Sequence, residues 1–227
     1  MPPRTALIAG VTGLVGSLCL KQLLADPAYG QVIAISRRPV PESHPKLSQK
    51  IVDFDKLGPL TSIAADDAFC ALGTTIRKAG SQEAFRKIDL GYSKAFAELA
   101  LANGARQFAL VSSVGANARS TNFYLRTKGE IEDAVKALPF TSVHIFQPSF
   151  LVGSRSEQRP GEGIGFALAK ALQFAFISAL RRYRPISASS VAAAMIAAVK
   201  RADPGRHTYL FDDMQALADR RLALPKS

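Results

Sequence analysis

Residues 10 to 16, Gly10-Val11-Thr12-Gly13-Leu14-Val15-Gly16, constrain the fold more than any other stretch of the chain. Before them Thr5-Ala6-Leu7-Ile8-Ala9 is an unbroken apolar run of strand length, the pattern of a parallel strand covered on both faces. After them Leu14, Val15, Leu18, Cys19, Leu23 and Leu24 recur at helical spacing, so the glycines fall where a strand turns into a helix. A helix N-terminus presents unpaired N–H groups and the positive end of its dipole, and residues without side chains let an anion come close. In this context Gly10, Gly13 and Gly16 predict a cradle for the pyrophosphate of a dinucleotide.

The next apolar run, Gln31-Val32-Ile33-Ala34-Ile35, ends in Ser36-Arg37-Arg38. About twenty residues beyond such a glycine loop, the strand tip meets the adenosine ribose, where a carboxylate would bind the 2′-hydroxyl of NAD. A hydroxyl and two guanidiniums stand there instead, and guanidinium forks suit a phosphate. NADP(H) is therefore expected in preference to NAD(H).

Residues 38 to 50 are polar and rich in proline, a surface connection, and Ile51-Val52-Asp53-Phe54-Asp55 reads as the third strand. Asp53 is placed to accept from the adenine amine or is simply a loop acid. Asp67 to Gly73 reads as the fourth strand, which delivers Ala71, Leu72, Gly73 and Thr74 to the middle of the cofactor. Residues 76 to 82 read as a basic loop, residues 83 to 102 as a helix stopped at Asn103-Gly104, and Gln107 to Val111 as a fifth strand leading to Ser112-Ser113. Ser142 to Phe146 is a sixth strand and His207 to Phe211 a last one, with a helix over 191 to 200 and a charged tail beyond Asp212. The expected fold is α/β, a doubly wound, mostly parallel sheet of Rossmann type in one domain. Residues 1–148 would form the dinucleotide-binding core and 149–227 a small C-terminal lobe on the substrate side.

Tyr124 and Lys128 stand one turn apart on a helix that runs toward Pro139. A free tyrosine titrates near ~10 and is a poor base, but an adjacent ammonium favours the phenolate. Tyr124 is thus a candidate proton donor or acceptor, with Ser112 or Ser113 as the group that holds the substrate oxygen. Gln147, Pro148 and Ser149 emerge where the nicotinamide should lie, and Arg155 either reaches a phosphate or faces solvent. The glycines at 153, 161, 163 and 165 suggest a mobile cover over the site.

The net charge of +11 raises nucleic acid and anionic membranes as partners. The basic residues form small scattered clusters with no interleaved aromatics, which argues against nucleic acid. Residues 164 to 184 are apolar with a basic end, a pattern open to membrane contact, although a pocket-capping or dimer helix is the stronger reading. His44, His144 and His207 are scattered and neither Cys19 nor Cys70 has ligand spacing, so no metal site is expected. His144 alternates with apolar residues and reads as a locally bonded strand residue. Two cysteines inside core elements and an N-terminus that runs straight into a strand suggest a reducing cytoplasm, and a monomer or homodimer is expected.

Taken together, Gly-x-x-Gly-x-x-Gly at 10–16, Ser112-Ser113 and Tyr124-x-x-x-Lys128 resemble the short-chain dehydrogenase/reductases of the atypical and extended branch. Within it, Cys70 to Thr75, Ser112 to Ala116, Gln147-Pro148 and Arg159-Pro160-Gly161-Glu162 are similar to the Tat-interacting-protein oxidoreductases. The resemblance implies Gly10, Thr12, Gly13, Leu14 and Val15 at the pyrophosphate, Ser36, Arg37 and Arg38 at the 2′-phosphate, and Asp53 and Phe54 near adenine. It implies Leu72 and Gly73 beside the nicotinamide ribose, Lys128 on that ribose and Tyr124 as acid/base on a small carbonyl or hydroxyl substrate. Two departures stand out: no asparagine is evident for the family's proton relay, and the gap from Ser113 to Tyr124 is short. They leave open a second function, a redox sensor or scaffold that holds NADPH with little turnover.

Overall fold

A computed structural model describes residues 2–58, 63–152 and 178–222. Its centre is a seven-stranded sheet in the order β3-β2-β1-β4-β5-β6-β9, with every neighbouring pair parallel. The strands are β1 (Arg4–Ala9), β2 (Tyr29–Ser36), β3 (Leu47–Ile51), β4 (Asp67–Cys70), β5 (Gln107–Val111), β6 (Ser142–Phe146) and β9 (Gly205–Tyr209). A separate two-stranded ribbon joins β7 (Leu151–Val152) to β8 (Ile186–Ser187).

The sheet is covered on both faces, which makes it doubly wound. Helix α1 (Leu14–Ala25) packs on one face with the two C-terminal helices, α6 (Ala188–Arg201) and α7 (Phe211–Leu222). On the other face lie α4 (Ser93–Ala102) and α5 (Phe123–Lys136), closing a core that holds Phe96, Phe108, Ile131 and Val135. β1 and β4 are buried almost throughout, which is why they read as continuous apolar runs. Because strand order reverses outward from β1 and β4, a crevice opens beyond their carboxyl ends, where Gly10 and Ala71 meet.

Several boundaries differ from expectation. The third strand is Leu47–Ile51, and Asp53 instead caps a short 3-10 turn, Phe54–Lys56, by accepting from the Asp55 N–H. As an edge strand it is only partly buried, so its polar residues gave no apolar run to read. The basic loop holds α2 (Ile76–Ala79) and the start of α3 (Gln82–Arg86), capped by Thr75 and Ser81. Between α3 and α4 the helix widens into a π turn, Lys87–Tyr92, which brings Asp89 inward. Past Asp212 the chain forms α7, whose Met214, Leu217 and Ala218 pack into the core.

Candidate cofactor and catalytic site

The glycine loop is built as its residues require. Gly10 has φ +86°, and a Cβ there would lie 2.3 Å from the Ala71 carbonyl, so both turn and crossing demand glycine. At Gly16 a Cβ would meet the Gly10 oxygen at 2.1 Å, which fixes how closely α1 approaches the loop. Gly13 differs: its φ of −84° suits any residue, and an added Cβ would find the Gly10 oxygen at 3.2 Å. Its missing side chain instead leaves open the start of α1. Gly13 is the N-cap of that helix and supplies no side-chain cap. Asn122 of α5 and Ser187 of α6 do supply one. The first-turn N–H groups of Leu14, Val15 and Gly16 are thus left without a side-chain cap, beside the exposed Thr12.

Ser36 is buried at the tip of β2, and its hydroxyl donates to the Arg38 carbonyl at 2.7 Å. Arg37 and Arg38 are exposed. Val52 donates to the Ser36 carbonyl at 2.9 Å, so Asp53 lies beside the same strand tip. Phe54 is buried and packs on Tyr92, ring centroids 5.4 Å apart. Tyr92 in turn donates to Asp55 at 3.0 Å.

Helix α5 brings the other predicted residues together. Lys128 is 8% exposed at its side chain and pairs with the Asp89 carboxylate at 2.5 Å. The second Asp89 oxygen accepts from the Thr74 N–H at 2.9 Å. The Lys128 ammonium also lies 3.7 Å from where a Gly73 Cβ would be. The loop after β4 is thereby tied to the lysine. Burial opposes the Lys128 charge, but the neighbouring charges of Asp89 and Tyr124 outweigh it and hold its pKa above the ordinary lysine value. Asp89 escaped the sequence reading because it stands in the midst of a helical pattern. The available signal was an acid four residues after Phe85 and seven before Phe96, on the apolar face of that helical pattern.

Tyr124 is half-buried with its ring against Phe85 of α3, centroids 5.6 Å apart. Its hydroxyl makes no hydrogen bond among the described residues. The two serines differ. Ser112 is buried and donates to Glu132 at 2.5 Å. The half-buried Ser113 hydroxyl makes only a 3.5 Å contact with the adjacent Val114 carbonyl. Of the two hydroxyls, only that of Ser113 has no side-chain partner among the described residues. Glu132, also missed, stands one turn beyond Lys128, is 3% exposed, and accepts from Gln147 at 2.8 Å as well. Pro148 is buried and its carbonyl accepts from Val114 at 3.0 Å. Arg155, the suggested cover over 153–163 and residues 164–177 of the apolar segment lie outside the described residues.

His144 is fully buried between Tyr209, 3.0 Å from Nδ1, and Gln107, 3.4 Å from Nε2. It therefore sits as a bonded strand residue. No helix among the described residues is long and apolar enough to cross a membrane.

A parallel sheet with its glycine loop at the β1–β4 crevice and a Tyr–Lys turn beside strand-end serines defines the class, a Rossmann protein of the short-chain dehydrogenase/reductase type. No protein-family model matches the chain. Among curated proteins it is 38% identical to HTATIP2 of Rattus norvegicus over 167 residues, 71% of this chain and 69% of that one. It is 34% identical to the mitochondrial protein FMP52 of Candida albicans over 174 residues, 74% of this chain and 75% of that protein. Among solved structures, MoeE5 in complex with UDP-glucose and NAD superposes with TM-score 0.67 at 16% identity, covering 95% of this chain and 81% of that one. Human SDR39U1 with NADPH gives 0.62 at 15% identity, covering 91% and 74%. The chain belongs to the atypical short-chain dehydrogenase/reductases, in the branch of HTATIP2 and FMP52.

The expectation of a cytoplasmic protein is corrected by these relatives: the FMP52 proteins of Candida albicans, Emericella nidulans and Candida glabrata are mitochondrial by name. Both cysteines are buried, and burial pushes the Cys70 thiol up to about 11. Thiols so shielded are inert in any compartment and carry no address.

Proposed function

We propose that this protein binds NADP(H) and transfers hydride between the nicotinamide and a small carbonyl or hydroxyl substrate. The observation that carries the reading is the Tyr124–Lys128–Asp89 series beside Gly73: an uncommitted phenol one turn from a buried ammonium, itself fixed by a carboxylate. The glycine loop fits a pyrophosphate, because the open Gly13 leaves the first-turn N–H groups of α1 free to bind an anion. When bound, the nicotinamide supplies or accepts the hydride. Tyr124 exchanges the proton with the substrate oxygen, Ser113 donates a hydrogen bond to that oxygen, and Lys128 binds the nearby ribose and stabilises negative charge on the tyrosine oxygen. Arg37 and Arg38 receive the 2′-phosphate, Asp53 lies toward the adenine, and Leu72, Gly73 and Pro148 line the nicotinamide side. The similarly folded MoeE5 and SDR39U1, solved with NAD and NADPH, support a nicotinamide cofactor.

The test has two arms. NADPH should raise the melting temperature more than NADH at equal concentration, because a ligand that binds only the native state stabilises it in proportion to its affinity. Tyr124→Phe should keep that shift and abolish NADPH oxidation across a panel of aldehydes and ketones. A second reading, a sensor with little turnover, draws on the short loop after Ser113. The loop is folded hard against α5, where a Cβ on Gly129 would lie 2.0 Å from the Ala118 nitrogen. Tight NADPH binding with no consumption by the wild type on that panel would select it.

A further inference from the structure

The arginine pair sits on an arc between two buried residues, Ser36 and Val40. At one end the Ser36 hydroxyl holds the Arg38 carbonyl at 2.7 Å. At the other, Val40 is flanked by Pro39 and Pro41, so its N–H is the sole backbone donor from 39 to 41. Both polar groups of Val40 go to one side chain. Gln49 of β3 accepts from the Val40 N–H at 2.8 Å and donates to the Val40 carbonyl at 3.1 Å. The same amide approaches the Glu42 carbonyl at 3.4 Å. A carboxamide offers donor and acceptor side by side, as a neighbouring strand would, and so replaces the ladder that a proline-bounded segment cannot form. Gln49 itself is held in register opposite Ala34 of β2.

We propose that Gln49 determines the cofactor preference as a positioning residue: it clamps the arc at Val40 so that Arg37 and Arg38 meet the 2′-phosphate from a backbone already ordered. The inference rests on the NADP(H) reading above. Neither guanidinium makes a hydrogen bond or ion pair among the described residues, so the backbone beneath them is what limits where they reach. Ordering that backbone in advance removes an entropic cost that binding would otherwise bear. NADH, without the extra phosphate, gains nothing from it.

Dissociation constants for NADPH and NADH, measured by fluorescence titration of the purified protein, test this directly. In Gln49→Met, which keeps the length but neither polar group, the NADPH-over-NADH preference should fall about tenfold while NADH affinity stays within about twofold of wild type, the scale expected from losing the order of about one backbone residue. Gln49→Glu should lose at least as much, since a carboxylate faces two carbonyls and adds negative charge near the phosphate. If Gln49→Met does not fold, Gln49→Asn, one methylene short of Val40, gives the same ratio to read. A wild-type preference left intact in these variants would overturn the role of Gln49. Equal NADPH and NADH affinity in the wild type would instead overturn the arginine reading beneath it.

Discussion

Lys128 shows how a single side chain acquires its role. Its buried ammonium is tolerable only because Asp89 faces it, and Asp89 is tolerable only because Lys128 and the Thr74 N–H complete its shell. Removing one partner strands the other, so Asp89→Ala should destabilise the fold by about 3 kcal/mol, read as a lower urea midpoint. An unchanged midpoint would mean that Lys128 finds another partner. The pairing of Tyr124 with Lys128 was legible because helix geometry places every fourth residue on one face. Asp89 was not, because nothing local links a residue in one helix to a residue in another.

At the next scale, α5 works as a rail. Tyr124, Lys128, Glu132 and Lys136 follow one another at four-residue steps. Glu132 fastens that rail to the ends of β5 and β6 through Ser112 and Gln147. On the adjoining face Gly129 lets the loop from β5 lie directly on the helix, with the Asn117 N–H donating to the Leu125 carbonyl at 3.0 Å. A methyl group at Gly129 would meet backbone on both Asn117 and Ala118. Gly129→Ala should therefore cost about 2 kcal/mol, although alanine is the better helix former, and should speed amide exchange across 115–119. A stabilised variant would refute this packing. The helix itself was evident from its periodicity. The role of its glycine was not, because the loop that covers it is placed only by tertiary packing.

For the molecule as a whole, acid stability follows from buried groups. Burial, aided by the neighbouring His207, pushes His144 down to about 4 from its ordinary 6.5. The unfolded chain thus binds more protons than the native one in that window, so this stability is complete above pH 6.5 and is lost as pH falls toward 4. Asp67, pushed up to about 7 by burial despite Arg4 and Tyr29, has the opposite sign, and its contribution is lost as pH rises through about 7. Because Asp67 offsets His144 across that window, the test is comparative: from pH 6.5 to 4.5 His144→Gln should gain about 2 to 3 kcal/mol of unfolding free energy relative to wild type, read from urea titrations. Parallel curves for the two proteins would count against a neutral buried ring.

The strand–glycine–helix start, the parallel α/β class and the Tyr–Lys turn were readable from the chain because each rests on short-range rules: apolar period, steric freedom at glycine, and the pitch of a helix. Which serine remains open, which carboxylate neutralises Lys128, and what clamps the arginine arc depended on residues far apart in the chain. Those contacts exist only once the sheet has ordered its strands and brought their carboxyl ends to a common edge, so no local pattern could encode them.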